Sequence, residues 1–93
     1  IVIYCSDHGG PTPRGKRYLH ETGVRVPLMI RIPKAYRYSV PFRNGSTCDE
    51  LVSFVDIAPT LLSLVGLPPG EAMMGRPFLG PERREPNGEP VFL

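Results

Sequence analysis

Residues 1–10, Ile-Val-Ile-Tyr-Cys-Ser-Asp-His-Gly-Gly, change character once. Ile1 to Tyr4 is short, apolar and β-branched, and Ser6-Asp7-His8-Gly9-Gly10 is a polar cluster ending in glycine. An apolar run without alternation predicts a fully buried strand of a parallel sheet, and the polar cluster marks its carboxyl end. Loops converge at that edge of an open α/β sheet, so the first chemistry-bearing residues fall where ligands bind. Residues 9–19 follow with three glycines, two prolines and three basic residues, the composition of an irregular, functional loop.

Further along, Leu28 to Ile32 reads as a second strand, because the flanking Pro27 and Pro33 are tolerated at strand ends and not inside a ladder. Residues 34–49 are connection, and Leu51 to Val55 reads as a third strand. Asp56 is placed to cap a helix whose first turn accepts Pro59, with Ile57, Leu61, Leu62 and Val65 as its apolar face. Gly66 followed by Leu67-Pro68-Pro69 ends that helix. The stretch to Glu89 is loop-like, and Val91 to Leu93 reads as a last strand.

A chain of 93 residues holds one small domain and buries only roughly 60–65% of its unfolded surface. Its apolar runs at both ends, Ile1 to Tyr4 and Val91 to Leu93, imply neighbours that the sequence does not contain, so the chain is expected to be a fragment of a larger domain. The net charge of +2 is uneven: residues 1–46 carry eight Lys/Arg against Asp7 and Glu21, and residues 47–93 carry three against seven acids. The cationic first half is either a solvated face or a pocket for an anion. Without a basic helix, regular aromatic interleaving or zinc-ligand spacing, nucleic acid is excluded as a partner. Cys5 and Cys48 are too few for a disulfide scaffold, and no stretch approaches the roughly 18 apolar residues of a membrane span.

Asp7 and His8, adjacent at a strand end, can turn a carboxylate and an imidazole toward one divalent cation; the alternative is that Asp7 satisfies loop amides and His8 is only exposed. Ser6-Asp7-His8-Gly9-Gly10, then Arg14-Gly15-Lys16, then Leu19-His20-Glu21-Thr22-Gly23-Val24-Arg25-Val26-Pro27-Leu28 together resemble the sulfatase family of the alkaline phosphatase superfamily. The likeness continues in order through Leu51 to Leu62 and through Met74-Gly75-Arg76-Pro77-Phe78-Leu79.

The resemblance implies an α/β fragment of an alkaline-phosphatase-like domain with a mixed, largely parallel sheet, residues 1–93 being the carboxy-terminal part of the catalytic domain. Asp7 then matches a calcium ligand of the family, and His8 a position that holds asparagine or histidine. Lys16 matches the lysine that contacts the sulfate and its linking oxygen, both a substrate-binding and a catalytic role. A formylglycine nucleophile and two further metal-binding aspartates are expected in a segment absent from this chain. Cys5 and Cys48 both lack the small residue and arginine of the formylglycine motif. The implied activity is hydrolysis of sulfate esters or sulfamates on a small molecule or sugar, outside the cytoplasm, with this fragment inactive alone. The rivals are a related metal-dependent phosphoryl hydrolase and a non-catalytic remnant. Glu21 and Arg25 are expected to pair structurally, and His20 is left off the site. Nothing in the sequence sets an oligomeric state.

Overall fold

The computed structural model describes residues 1–85, so the strand expected at Val91 to Leu93 lies outside the described residues. The chain divides into two compact units, Ile1–Pro33 and the residues from Lys34 onward.

In the first unit, strand β1 (Val2–Cys5) pairs with strand β2 (Leu28–Arg31), with a short helix α1 (Glu21–Val24) between them. The pairing is antiparallel, with Val2 opposite Arg31, Ile3 opposite Ile30, Tyr4 opposite Met29 and Cys5 opposite Leu28. Parallel pairing, expected from the apolar run, is not what β1 makes among the described residues. The loop and α1 simply bring the chain back alongside, whereas parallel neighbours need a crossover. Ser6 N–H extends the ladder to Pro27 O at 3.4 Å. Ile3, Leu28 and Ile30 are half-buried, while Val2, Tyr4 and Met29 stay 56%, 61% and 59% exposed. Among the described residues of this unit β1 is therefore not the fully buried strand expected, since nothing lies over one face.

The second unit opens with a 3₁₀ turn over Lys34–Ser39. The third strand expected at Leu51 to Val55 is not formed; Phe54–Asp56 is a 3₁₀ turn leading directly into helix α2 (Ile57–Leu64). The reason is local. Asp56 Oδ2 accepts the Ser53 N–H at 2.9 Å and Asp56 N–H donates to Ser53 O at 3.0 Å, which closes a turn where a strand would have to stay extended. Asp56 stands at the N-cap position of α2, as expected, but its side chain makes no cap bond to the helix.

The other carboxylate oxygen, Asp56 Oδ1, accepts the Arg76 N–H at 2.8 Å. Four and seven residues on, Thr60 Oγ1 accepts the Phe78 N–H at 3.1 Å and Ser63 Oγ the Glu82 N–H at 3.0 Å. Positions i, i+4 and i+7 share one helix face, so α2 holds the segment 76–82 by a ladder of side-chain acceptors. The buried residues of α2 are accordingly Pro59, Thr60, Ser63 and Leu64. Leu61 and Val65, expected on the buried face, are 37% and 48% exposed. Leu64 and Leu79 form the buried apolar core of the described residues.

Helix α2 stops as expected. Gly66 takes φ +79°, Gly66 N–H donates to Ser63 O at 3.0 Å and Leu67 N–H to Leu62 O at 2.9 Å, the paired bonds of a Schellman end. Beyond the ladder, the Arg83 guanidinium donates to Glu50 Oε1 at 2.7 Å and to Phe78 O at 3.2 Å, and it also pairs with Glu85. The Phe42 ring lies 5.7 Å from its central carbon.

Candidate functional site

All three residues singled out for chemistry, Asp7, His8 and Lys16, lie in the first unit, in the loop between β1 and α1. Backbone bonds shape that loop. Gly9 N–H donates to Gly23 O at 2.9 Å, Lys16 N–H to Gly10 O at 2.9 Å, and Gly15 N–H to Thr12 O at 3.0 Å. Gly23 is the pivot: a Cβ there would sit 2.2 Å from Tyr18 O and 2.5 Å from Gly15 O, so only glycine lets these backbones approach. The metal-type pair and the lysine are thus tied to one frame through Gly9, Gly10, Gly15 and Gly23.

Ser6 Oγ donates to His8 O at 2.7 Å and holds the turn that follows β1. His8 Nδ1 lies 2.7 Å from Gly9 O. A carbonyl only accepts, so Nδ1 is the protonated nitrogen of this contact, which in a neutral ring leaves the lone pair on Nε2. That nitrogen stands 3.5 Å from Asp7 Oδ1, with the His8 side chain 41% and the Asp7 side chain 85% exposed. Two donor atoms on one cation, each about 2.0–2.4 Å from it, stand about 3.0–3.6 Å apart. The pair therefore fits a shared divalent cation in distance, in tautomer and in access to solvent. It is only part of a shell: among the described residues no group of three or more His, Cys, Asp or Glu gathers around a point.

Lys16 is exposed, and its side chain makes no hydrogen bond or ion pair among the described residues. Only its backbone is fixed, which leaves the ammonium free for a ligand. On either side, Arg14 and Arg17 adopt left-handed backbone, φ +63° and +73°, a conformation that L residues other than Asn and Gly rarely take. Thr22 Oγ1 donates to Arg14 O at 2.8 Å and steadies the first of these.

Glu21 and Arg25 pair at 3.1 Å across one turn of α1, as expected; both are largely exposed, so the bond contributes about 0.3–0.5 kcal/mol. His20 is exposed, its ring 6.1 Å from that of Tyr18. Cys5 and Cys48 are free and exposed. Sequence reasoning missed Ser6 and Thr22, whose hydroxyls brace the two halves of the loop. For Ser6 the signal was present, since serine just past a strand commonly closes a turn on its own backbone. For Thr22 there was none, because its partner lies eight residues back.

The family described as N-sulphoglucosamine sulphohydrolase, C-terminal, matches residues 14–86, which includes Lys16 and begins after Asp7 and His8. The chain is 44% identical over 81 residues to an ulvan-active sulfatase of Formosa agariphila, covering 86% of this chain and 12% of that protein. It is 34% identical over 76 residues to human N-sulphoglucosamine sulphohydrolase, covering 81% of this chain and 14% of the relative. With an extracellular sulfatase SULF-1 homolog of Drosophila melanogaster it shares 36% identity over 83 residues, 84% of this chain and 7% of that protein. The chain thus spans a small part of the length of the curated relatives it matches. No solved structure matches it.

Proposed function

The chain belongs to the sulfatase family, and on that footing we propose that it supplies part of the catalytic site of an enzyme hydrolysing sulfate esters or sulfamates on a sulfated sugar or small molecule. Asp7 Oδ1 and His8 Nε2 are two of the ligands of a divalent cation, assigned as Ca²⁺. When bound, that cation polarises sulfate oxygens. The ammonium of Lys16 donates to the sulfate and to the oxygen joining it to the leaving group, so that charge gathering there as the bond breaks is offset. A formylglycine nucleophile and the remaining cation ligands are assigned to sequence other than these 93 residues.

The single observation that carries this proposal is the Asp7–His8 geometry, with Nδ1 committed to Gly9 O and Nε2 left facing the carboxylate at 3.5 Å. It is supported by the backbone bond from Lys16 to Gly10, which holds the lysine's main chain two residues from His8. In the intact enzyme, the β1–β2 pair is placed within a mixed, largely parallel sheet, whose further layers cover Val2, Tyr4 and Met29. An extracytoplasmic location is proposed from the extracellular relative.

The test is Lys16→Ala in the intact enzyme, which should lower kcat/KM for an aryl sulfate by roughly 10² to 10³, the usual effect of losing one preorganised donor. Lys16→Arg should restore little of this, because a planar guanidinium cannot place a donor where a compact ammonium stood. An enzyme that prefers the matched aryl phosphate, with Lys16 dispensable, would instead identify the phosphoryl hydrolase.

A further inference from the structure

Three cations, Arg14, Lys16 and Arg17, fall within four consecutive residues, and all are exposed. None of the three side chains has a hydrogen bond or ion pair among the described residues. Of the nearby acids, Glu21 pairs with Arg25, and Asp7 stands 3.5 Å from His8 with no ion pair to any of the three cations. Three cations within four residues raise the local positive potential, which favours binding of an anion.

The backbone adds a second, independent observation. A basic run that serves only to be solvated has no need of left-handed geometry, yet Arg14 and Arg17 both hold it, at φ +63° and +73°. Glycine or asparagine would follow the same path at lower cost. The path itself is imposed by the bonds from Gly15 to Thr12, Lys16 to Gly10, Tyr18 to Gly15 and Thr22 to Arg14. Two long cationic side chains therefore stand where the local conformation disfavours them, with no hydrogen bond or ion pair among the described residues to offset it.

We infer that Arg14 and Arg17 are specificity-determining residues that take a second anionic group of the substrate, a sulfate or carboxylate on the same sugar as the scissile sulfate or on the adjoining one. This rests on the proposed sulfatase activity, in which Lys16, between them, takes the scissile sulfate. A guanidinium suits the added task, since its planar fork matches a sulfate or carboxylate edge with two parallel hydrogen bonds. A substrate that carries this second anionic group is then handled better than a singly charged one.

The test compares the intact enzyme with its Arg14→Gly/Arg17→Gly double variant, which removes both guanidinium groups but keeps the backbone path. The substrates are a disulfated disaccharide and its monosulfated counterpart. The ratio of kcat/KM for the two should fall about tenfold in the variant at low salt, the combined effect of two exposed charge contacts. For the parent enzyme the same ratio should shrink at about 0.5 M salt, where screening acts within roughly 4 Å. The melting temperature of the variant should equal or exceed that of the parent, because glycine relieves the left-handed positions. An unchanged ratio would overturn the inference, and so would an equal loss on both substrates or a lower melting temperature without loss of selectivity. If neither substrate is hydrolysed, the sulfatase proposal fails, and calorimetric binding of the disulfated disaccharide still decides the role of the arginines. Weaker binding by the variant sustains that role, and equal binding refutes it.

Discussion

On the proposed sulfatase activity, replacing Gly23 by alanine should lower the rate through a residue assigned no contact with substrate. Its N–H donates to His20 O at 2.8 Å and its carbonyl accepts the Gly9 N–H at 2.9 Å, so it joins α1 to the Asp7–His8 turn. A Cβ at this position would lie 2.2 Å from Tyr18 O and 2.5 Å from Gly15 O, two backbone atoms that cannot swing aside as a side-chain tip can. Restoring ordinary contact requires the strand of loop from Gly15 to Tyr18 to retreat by about 1 Å, and Lys16 rides on that strand. Overpacking of this kind costs about 1–3 kcal/mol, and a catalytic group misplaced by about 1 Å costs roughly 10² in rate. Steady-state hydrolysis of an aryl sulfate by the intact enzyme, with a thermal melt alongside, reads both. The matched control is Gly70→Ala, where a Cβ meets nothing within 4 Å and φ is not positive, so rate and melting temperature should hold. Wild-type kcat/KM in Gly23→Ala would refute the claim that this glycine positions Lys16.

Two further outcomes concern the second unit. Asp56→Ala removes the carboxylate that accepts the N–H groups of Ser53 and Arg76 and should cost about 2–6 kcal/mol, at roughly 1–3 kcal/mol for each bond lost, read as a lowered denaturant midpoint with unchanged slope. A loss below about 1 kcal/mol would show that water replaces the carboxylate without penalty. Gly66→Ala meets no atom within 4 Å but must hold φ +79°, so it should cost only the left-handed penalty of about 1–2 kcal/mol. A neutral result would mean the helix end relaxes to another turn.

Punctuation in the sequence located elements better than hydrophobicity assigned their faces. Pro27 and Pro33 bracket β2, and Gly66 ends α2 with the two bonds that a left-handed glycine permits. These signals work because each acts through its own backbone. The apolar pattern of α2 pointed to Ile57, Leu61, Leu62 and Val65, of which Leu61 and Val65 are exposed, whereas the polar Thr60 and Ser63 are buried beside Pro59 and Leu64. Counting hydroxyls as polar places them outside, yet here each removes a backbone N–H of the segment 76–82 from the solvent's care, which makes burial favourable. For Leu51 to Val55, a short apolar run cannot by itself separate strand from turn, and the Ser53–Asp56 bonds decided for the turn. The direction of the β1 partner was equally illegible, since composition describes what covers a strand and not which way its neighbour runs.

At the site, adjacency made Asp7 and His8 readable as a pair, because two consecutive residues at a strand end can face one point whatever the rest of the chain does. The tautomer could not be read. It depends on the turn that brings Gly9 O to 2.7 Å from Nδ1, and that turn is held by Ser6 and by the bond from Gly9 to Gly23. Lys16 was singled out only through the ordered likeness to a family, since a single lysine in a glycine-rich loop carries no signal of its own. What fixes its main chain is equally remote: a bond to Gly10 and the close approach of Gly15 to Gly23. The candidate side chains are thus nearly unsupported by other side chains, and their placement comes from backbone contacts at glycines. A frame of that kind tolerates exchange of the surface residues around it, but it has no room for a single methyl group at its pivot, which is why the rate loss is expected at Gly23 and not at the solvated Glu21–Arg25 pair beside it.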